Sequence, residues 1–537
     1  VSETWDVVVV GGGPAGSAAA IALQGDGYHA LVLEAERFPR HHVGESLVSL
    51  WPVFEHLGVT QAMDATFQHK RGSCRIWGRK GELQWTDFDS LAGGRNYSLQ
   101  VERSAFDLLL LRRAMEVGAD IREGHRVLSV IWDGDRAVGV RYRTPDGTLG
   151  SAHARWVVDA TGRTGLLAKE RGLRTVDPFY PDLSVYAYVE GARRFEGELE
   201  GNLLIEAVPW GWFWFIPLRT GEVSIGLVCD RTSRARVRAR GVHGFFDEAL
   251  ASSRVVGPMA AAGRLSQKPR ATASFGYSSK AYGGPGWLLA GDAGSFVDPM
   301  WATGVANALT DGLLAAAVVE AVGGGRVTER AAVAHHNLQL MRRTEQTLAL
   351  VRFVYWSNHL HADEPFWRTR QQPAADNSLS PARLLHRLSA DPSVRYFRDA
   401  FRGMGHESEA LAPLNEILTR WDGRAATIGR FSLDLSAWAP CLRDCVTLRA
   451  SLGYQRFRLV PGLVIDHGGL EYFTTDPAMT CALEAIDGRT SAGVIADTGA
   501  AAAPPGEWVL ARSRVIAGLV GAWQAGLIDT VPLRQQE

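Results

Sequence analysis

Apolar positions fall into clear patterns along the first three hundred residues. Trp5–Val10 (WDVVVV) is a β-branched run that stops at glycines, the pattern of a strand buried on both faces. Pro14–Gln24 is alanine-rich and predicts a helix, and Ala30–Glu34 (ALVLE) predicts a second strand, so the chain opens as a βαβ unit. A helical stretch follows at VERSAFDLLLLRRA, and a further strand ends in WVVDATG at Trp156–Gly162. Between Leu183 and Asp230 the period shortens to two, which predicts several antiparallel strands. GWLLAGDAG (Gly286–Gly294) returns to a buried strand with a glycine turn. Beyond Gly304 the period is helical for most of a hundred residues. QQPAADNSLSP (Gln371–Pro381) predicts a loop and DTGAAAAPPGE (Asp497–Glu507) a flexible connector. RFRLVPGLVIDHGGLEYFTT alternates like two strands, and Trp508–Ile528 reads as an amphipathic helix. The chain therefore divides into a core over 1–330 with an antiparallel sheet near 183–230, a helical linker or cover over 331–380, and a C-terminal domain over 381–537.

Composition narrows the class. The 537 residues are 46% hydrophobic and 21% charged with a net charge of −1, which suits a globular protein and gives no reason to expect nucleic acid or an anionic membrane as partner. Five cysteines are too few and too scattered for a disulfide framework and point to a reducing compartment. Cys441 and Cys445 would share a face of a helix, but without companions at metal spacing they make no zinc site, and no metal is expected. Acidic Ser2-Glu3 running straight into a strand argues against a signal peptide, and no apolar run reaches about 18 residues. These features predict a cytoplasmic protein.

The candidate chemistry begins at GGGPAG. Gly11 makes the tight strand-to-helix turn, Gly13 lets a pyrophosphate approach the backbone, and Gly16 lets helix and strand pack closely. Pro14 and Ala15 open the helix whose amides face that phosphate. Glu34 ends the second strand eighteen residues beyond Gly16, where a carboxylate can bind a ribose diol. NAD and FAD share this fingerprint. Two later strand-to-turn elements, Asp159 with Gly162 and Gly291 with Asp292, resemble the order found in flavin hydroxylase-like proteins, which implies FAD. In that superfamily Asp292 would face the ribityl and pyrophosphate part, and Arg103 resembles the flavin-contacting arginine. FPRHHVGES (Phe38–Ser46), with Arg40, Glu45 and Ser46, resembles the segment after the second strand in the halogenase and reductase branches.

Two more motifs resemble flavin-dependent halogenases. Trp212-x-Trp214-x-Ile216-Pro217 matches their W-x-W-x-I-P pattern, and Lys70 in HKRGSCRIWG matches their K-x-G-x-x-x-x-W-G arrangement with Gly72, Trp77 and Gly78. The resemblance runs from residue 5 to about 320 and more loosely through FVYWSNHLHADEPFWRTRQ. It implies an α/β, FAD-binding hydroxylase-like (Rossmann-type GR2) fold with an antiparallel substrate-side sheet. The C-terminal segment resembles the α-rich, winged-helix-like appendage of the acyl or carrier-linked branch, as a substrate cover or a docking domain.

The same resemblance implies roles. Reduced FAD and oxygen would oxidise chloride or bromide to hypohalous acid, and Lys70 would pass the halogen on, as an ammonium donor or as a chloramine. DPMWATGVANAL matches the halide segment. Thr303 and Gly304 would hold the halide, with Pro299, Gly304 and Val305 also against the cofactor. Trp212 and Trp214 would wall substrate off from the flavin, and periodicity puts Trp210 on their face, opposite Phe213 and Phe215. Tryptophan-specific members carry a glutamate where this chain has Trp301, which argues for phenolic, pyrrolic or carrier-linked acyl substrates instead. Among His41, His42, His69, His359 and His361 the sequence does not choose a substrate base. A separate NAD(P)H-dependent flavin reductase is expected as partner, and the substrate is free or bound to a carrier protein. The competing readings are a hydroxylase or an isoprenoid-type reductase on the same fold, or a flavoprotein without catalysis.

Overall fold

The computed structural model describes residues 2–371 except 79 and 88–94, and 438–532 except 443–445, 456, 468–469, 475, 504–506 and 525–527. The chain divides into two compact units, Val1–Ala375 and Asp376–Glu537.

The βαβ opening forms as expected: strand Ser2–Val10, helix Pro14–Gly25 and strand Ala30–Glu34. Strand Ser2–Val10 lies between Leu149–Asp159 and Ala30–Glu34, and all three run parallel. Trp287–Leu289 extends the parallel array on one side and Asp120–Glu123 on the other. Val7, Val8 and Val9 are fully buried, as an unbroken apolar run requires when helices cover a sheet. Helix Gly304–Gly323 packs against Pro14–Gly25 so closely that a Cβ at Gly312 would sit 2.2 Å from the Ala15 carbonyl oxygen. That helix is long and apolar enough to cross a membrane by length and composition, but it is largely buried here and is a core helix of the parallel sheet.

A second sheet runs Arg264–Leu265, Arg174–Glu190, Glu222–Asp230, Gly211–Pro217, Leu203–Val208, Gly72–Ile76, Leu83–Asp87, with Arg270–Ser279 also pairing Arg174–Glu190. The sheet thus recruits strands well outside 183–230. Its pleat separates two environments. Cys74, Leu204, Phe213, Phe215, Ile225 and Leu227 face one way, into a core with Phe245, Phe246 and Ala249 of helix Arg234–Ala251. The alternating residues, Trp212 and Trp214 among them, face the other way.

In the C-terminal unit Val446–Gln455, Arg458–His467 and Leu470–Thr474 form an antiparallel sheet, and Trp438–Leu442 pairs with Ile528–Pro532. Helices Pro477–Glu484, Ala492–Ala500 and Trp508–Gln524 share a core that includes Ala482, Ile495 and Val515. Asp476 caps the first of them, its carboxylate accepting from Ala478 N at 3.0 Å ahead of Pro477. Three expectations need correction. Asp497–Ala500 ends a helix rather than opening a connector, because Gly499 allows close packing with Ala478. Ile528 begins a strand instead of ending the last helix. Cys441 lies in a strand, so helical spacing does not relate it to Cys445, which lies outside the described residues. The loop expected at Gln371–Pro381 also lies outside them, apart from Gln371 at the end of helix Pro365–Gln371.

Candidate active site

The ends of the parallel strands build the cofactor end. Gly11, at φ +104, passes so near the next strand that a Cβ would lie 2.5 Å from Ala160 O, and one at Gly16 would lie 1.9 Å from Gly11 O. Helix Pro14–Gly25 then starts at Gly13 without a side-chain cap, so its first amides remain available to a phosphate. Glu34 is buried, accepting from Gly12 N at 2.6 Å and Glu36 N at 2.7 Å, which fixes the carboxylate at the mouth of the turn. Arg40 brings its guanidinium to the same place, 3.2 Å from where a Gly13 Cβ would stand and 3.4 Å from Asp107. Asp107 also holds Arg103, in two hydrogen bonds of 2.9 and 3.1 Å, and Arg103 donates to Val43 O at 3.0 Å. The Gly291–Asp292 turn is tied to helix Gly304–Gly323 by Gly291 N donating to Asp311 at 3.0 Å. Burial pushes Asp292 up to about 6, against the pull of Arg163 and Arg103. Asp159 holds its own turn, accepting from Thr161 N and Oγ1 and from Leu167 N. A tight glycine turn, an uncapped helix start, a buried carboxylate at the end of the second strand and two arginines fit FAD.

Lys70 closes strand Gln68–Lys70 and is 2% exposed. Its Nζ donates to Ser46 Oγ at 2.6 Å, and burial lowers the amine from its usual range to about 7. Gly72 sets the direction: a Cβ there would lie 2.1 Å from Thr86 O, and its amide donates to Asn202 Oδ1 at 2.8 Å. Trp77 pins the far end of the motif, donating from Nε1 to Val354 O on helix Glu329–Ser357 at 3.1 Å. Next to Ser46, buried Glu45 accepts from Tyr188 Oη at 2.5 Å, and burial raises that carboxyl.

Trp214 pairs with Gly226, where a Cβ would fall 2.2 Å from the indole. The ring therefore lies across the glycine toward Tyr186, the next strand's partner at that level, with centroids 6.2 Å apart. Trp212 is 1% exposed, and its Nε1 donates to Tyr355 Oη at 2.8 Å. Trp210 departs from the expected pattern. It lies in the turn before strand Gly211–Pro217 and packs on Phe245, in the core that holds Phe213 and Phe215, with Arg236 over its ring. Strand alternation does not extend through a turn, so counting by twos from Trp212 misplaces it.

In the segment expected to hold the halide, Pro299–Trp301 is a short 3-10 turn, Ala302 is left-handed at φ 53, and Thr303 precedes helix Gly304–Gly323 without capping it by its side chain. A Cβ at Gly304 would meet open space, while Val305 is buried. Trp301 is buried with the Arg75 guanidinium 4.7 Å over its ring. The histidines separate clearly. His69 pairs with Asp64 at the surface, and His42 is held down to about 4 by Arg103 and by burial. His41 sits 3.1 Å from Tyr186 Oη, His361 3.3 Å from Ala207 O, and His359 edge-on to Trp356. Sequence reading missed Asp107, Tyr188, Asp298 and Tyr355. The Asp298-Pro299 pair is a helix-start signature that signals a cap, and Asp107 stands four residues after Arg103 on a predicted helix, but nothing local marks Tyr188 or Tyr355.

The fold and this cofactor end define an FAD flavoprotein, and residues 4–337 match the FAD binding domain family. The chain is 35% identical over 327 residues to the tryptophan 2-halogenase of Chondromyces crocatus, covering 60% of this chain and 62% of that relative's length. It is 31% identical over 382 residues to the flavin-dependent halogenase armH3 of Armillaria mellea, covering 66% of this chain and 75% of the relative. The structure superposes on that of CmlS, a flavin-dependent halogenase, with a TM-score of 0.78 at 23% identity, over 99% of this chain and 97% of the other. The chain belongs to the flavin-dependent halogenases, which are FAD-dependent oxidoreductases.

Proposed function

We propose that this enzyme uses FADH2, O2 and chloride or bromide to halogenate an electron-rich aromatic, phenolic or pyrrolic, or a carrier-linked acyl substrate. The observation that carries this reading is Lys70, an amine kept 2% exposed and lowered to about 7, at a distance of 2.6 Å from Ser46 Oγ. Perturbed amines of this kind are functional-site candidates. When bound, reduced FAD with oxygen supplies the oxidant that turns halide into hypohalous acid. Thr303 and Gly304 present uncapped helix-start amides to the halide. Lys70, as an ammonium, hydrogen-bonds the hypohalous oxygen and aims the electrophilic halogen at the substrate carbon. Trp212 and Trp214 form the wall that keeps substrate off the flavin, so that oxygen is not inserted directly.

Trp301 stands where tryptophan-specific members carry a glutamate, which favours rings already activated by a hydroxyl or a pyrrole nitrogen. The similarity to a tryptophan 2-halogenase makes tryptophan the necessary comparison substrate. A separate flavin reductase supplies the reduced cofactor in the cytoplasm, and the C-terminal domain docks a carrier protein.

The test supplies the enzyme with FAD, a reductase with NADH, oxygen and chloride or bromide. Phenols, pyrroles, tryptophan and carrier-bound acids are offered in parallel, with mass spectrometry for the halogen isotope pattern. Halide-dependent product on a phenol or pyrrole is expected. Hydroxylated product independent of halide would overturn the reading.

A further inference from the structure

Three buried side chains from three distant segments form one hydrogen-bonded line. Trp212 Nε1 of the substrate-side sheet donates to Tyr355 Oη on helix Glu329–Ser357 at 2.8 Å, and Tyr355 Oη donates to Asp298 Oδ2 at 3.0 Å. The other oxygen of Asp298 accepts from Met300 N at 2.8 Å and so caps the turn Pro299–Trp301. All three side chains are at most 6% exposed. An apolar trio of similar volume would pack without the desolvation cost of a buried carboxylate, so stability alone does not account for this choice.

The turn held by Asp298 leads directly to the halide segment. One residue past it, Ala302 is left-handed at φ 53, a conformation that a non-glycine residue keeps only when its surroundings over-determine it. Thr303 and the first turn of helix Gly304–Gly323 follow at once. Helix Gly304–Gly323 is anchored on its own side, by Gly312 against Ala15. On the other side Phe296 exchanges backbone hydrogen bonds with Tyr277, and between these two anchors Tyr355 and Trp212 hold the turn through Asp298.

We propose that Tyr355 and Asp298 are positioning residues that set the halide-binding amides of Thr303 and Gly304, and that Trp212 is the anchor of this line through its indole N–H. The inference rests on the reading that those amides hold the halide. It gives the first tryptophan of the W-x-W-x-I-P motif two separable functions: its ring contributes to the wall, and its N–H fixes the halide loop. Trp214 has no part in the second, since its Nε1 donates to Ser224 Oγ at 3.2 Å.

The test compares Tyr355→Phe, Trp212→Phe and the double variant, all of which keep aromatic bulk. Initial halogenation rates are measured against bromide concentration, with thermal unfolding and flavin binding recorded for each protein. Losing one link of a buried line is expected to raise the KM for bromide about tenfold. kcat at saturating bromide should change far less for Tyr355→Phe. The double variant should be no worse than the more affected single one, because both cut the same line. Crystals of wild type and Tyr355→Phe in bromide give a readout independent of turnover: anomalous density at the Thr303 and Gly304 amides in the first, weakened in the second. An unchanged KM for bromide, additive effects in the double variant, or equal bromide density in both crystals would each overturn the inference. A wild type that halogenates while the variants keep their KM sinks this inference alone. A wild type that gives no halogenated product sinks the proposed function itself.

Discussion

The cofactor end and the aromatic region beside Lys70 are built by opposite means. At the cofactor end the decisive groups are backbone amides and missing side chains, contributed by short contiguous stretches. Gly11 to Gly16 shape the turn, and Glu34 completes it one strand away through a 2.6 Å bond to Gly12 N. In the aromatic region the decisive groups are side chains brought together across the chain. Lys70 meets Ser46, Trp77 meets Val354, and Trp212 meets Tyr355. The cofactor end therefore tolerates almost no added volume, whereas the aromatic region depends on which partners survive.

The comparison predicts where function will break. Lys70→Ala should lower halogenation by about 10²–10⁴-fold, the usual reach of a positioned proton donor, while flavin binding by fluorescence titration stays near wild type. Retained halogenation would show that the buried amine is not the pivot. Gly16→Ala should fail in the opposite way. A methyl group 1.9 Å from Gly11 O forces the turn open, costs about 3 kcal/mol in thermal unfolding and abolishes flavin retention. If this variant binds flavin normally, the cofactor end is looser than its packing implies.

A smaller effect is expected for Gly226→Ala, whose Cβ would press into the Trp214 indole. A loss of about 1–3 kcal/mol with flavin binding retained would separate the two regions cleanly. The smallest effect is in pH. Because burial lowers Lys70 to about 7, its ammonium is nearly complete at pH 6 and mostly lost by pH 8. Halogenation by an ammonium donor should fall about fivefold between pH 7 and 8. A rate that rises over that interval would assign the chemistry to the neutral amine instead.

Legibility differed along the same line. Strand Ser2–Val10, helix Pro14–Gly25 and strand Ala30–Glu34 were readable because a buried parallel strand, an alanine-rich helix and a glycine turn are each local patterns. The second sheet was only half readable. Alternation marks strands near 183–230, but nothing local shows that Gly72–Ile76 joins them in parallel beside Leu203–Val208. Trp210 was misplaced because a turn interrupts the alternation. Asp497–Ala500 was mistaken for a connector because its small residues serve tight helix packing around Gly499 rather than flexibility.

By itself the sequence determined the βαβ opening, the glycine turn with its acid, and the aromatic and lysine motifs. Those depend on backbone sterics and short spacing, which a linear chain displays directly. Only the tertiary structure decided that Lys70 is desolvated against Ser46, that Gly226 gives Trp214 its place, and that Trp212 reaches Asp298 through Tyr355. Burial and hydrogen-bond partnership are properties of segments that meet in space. Asp298 and Tyr355 stand 57 positions apart, and no short-range pattern links them.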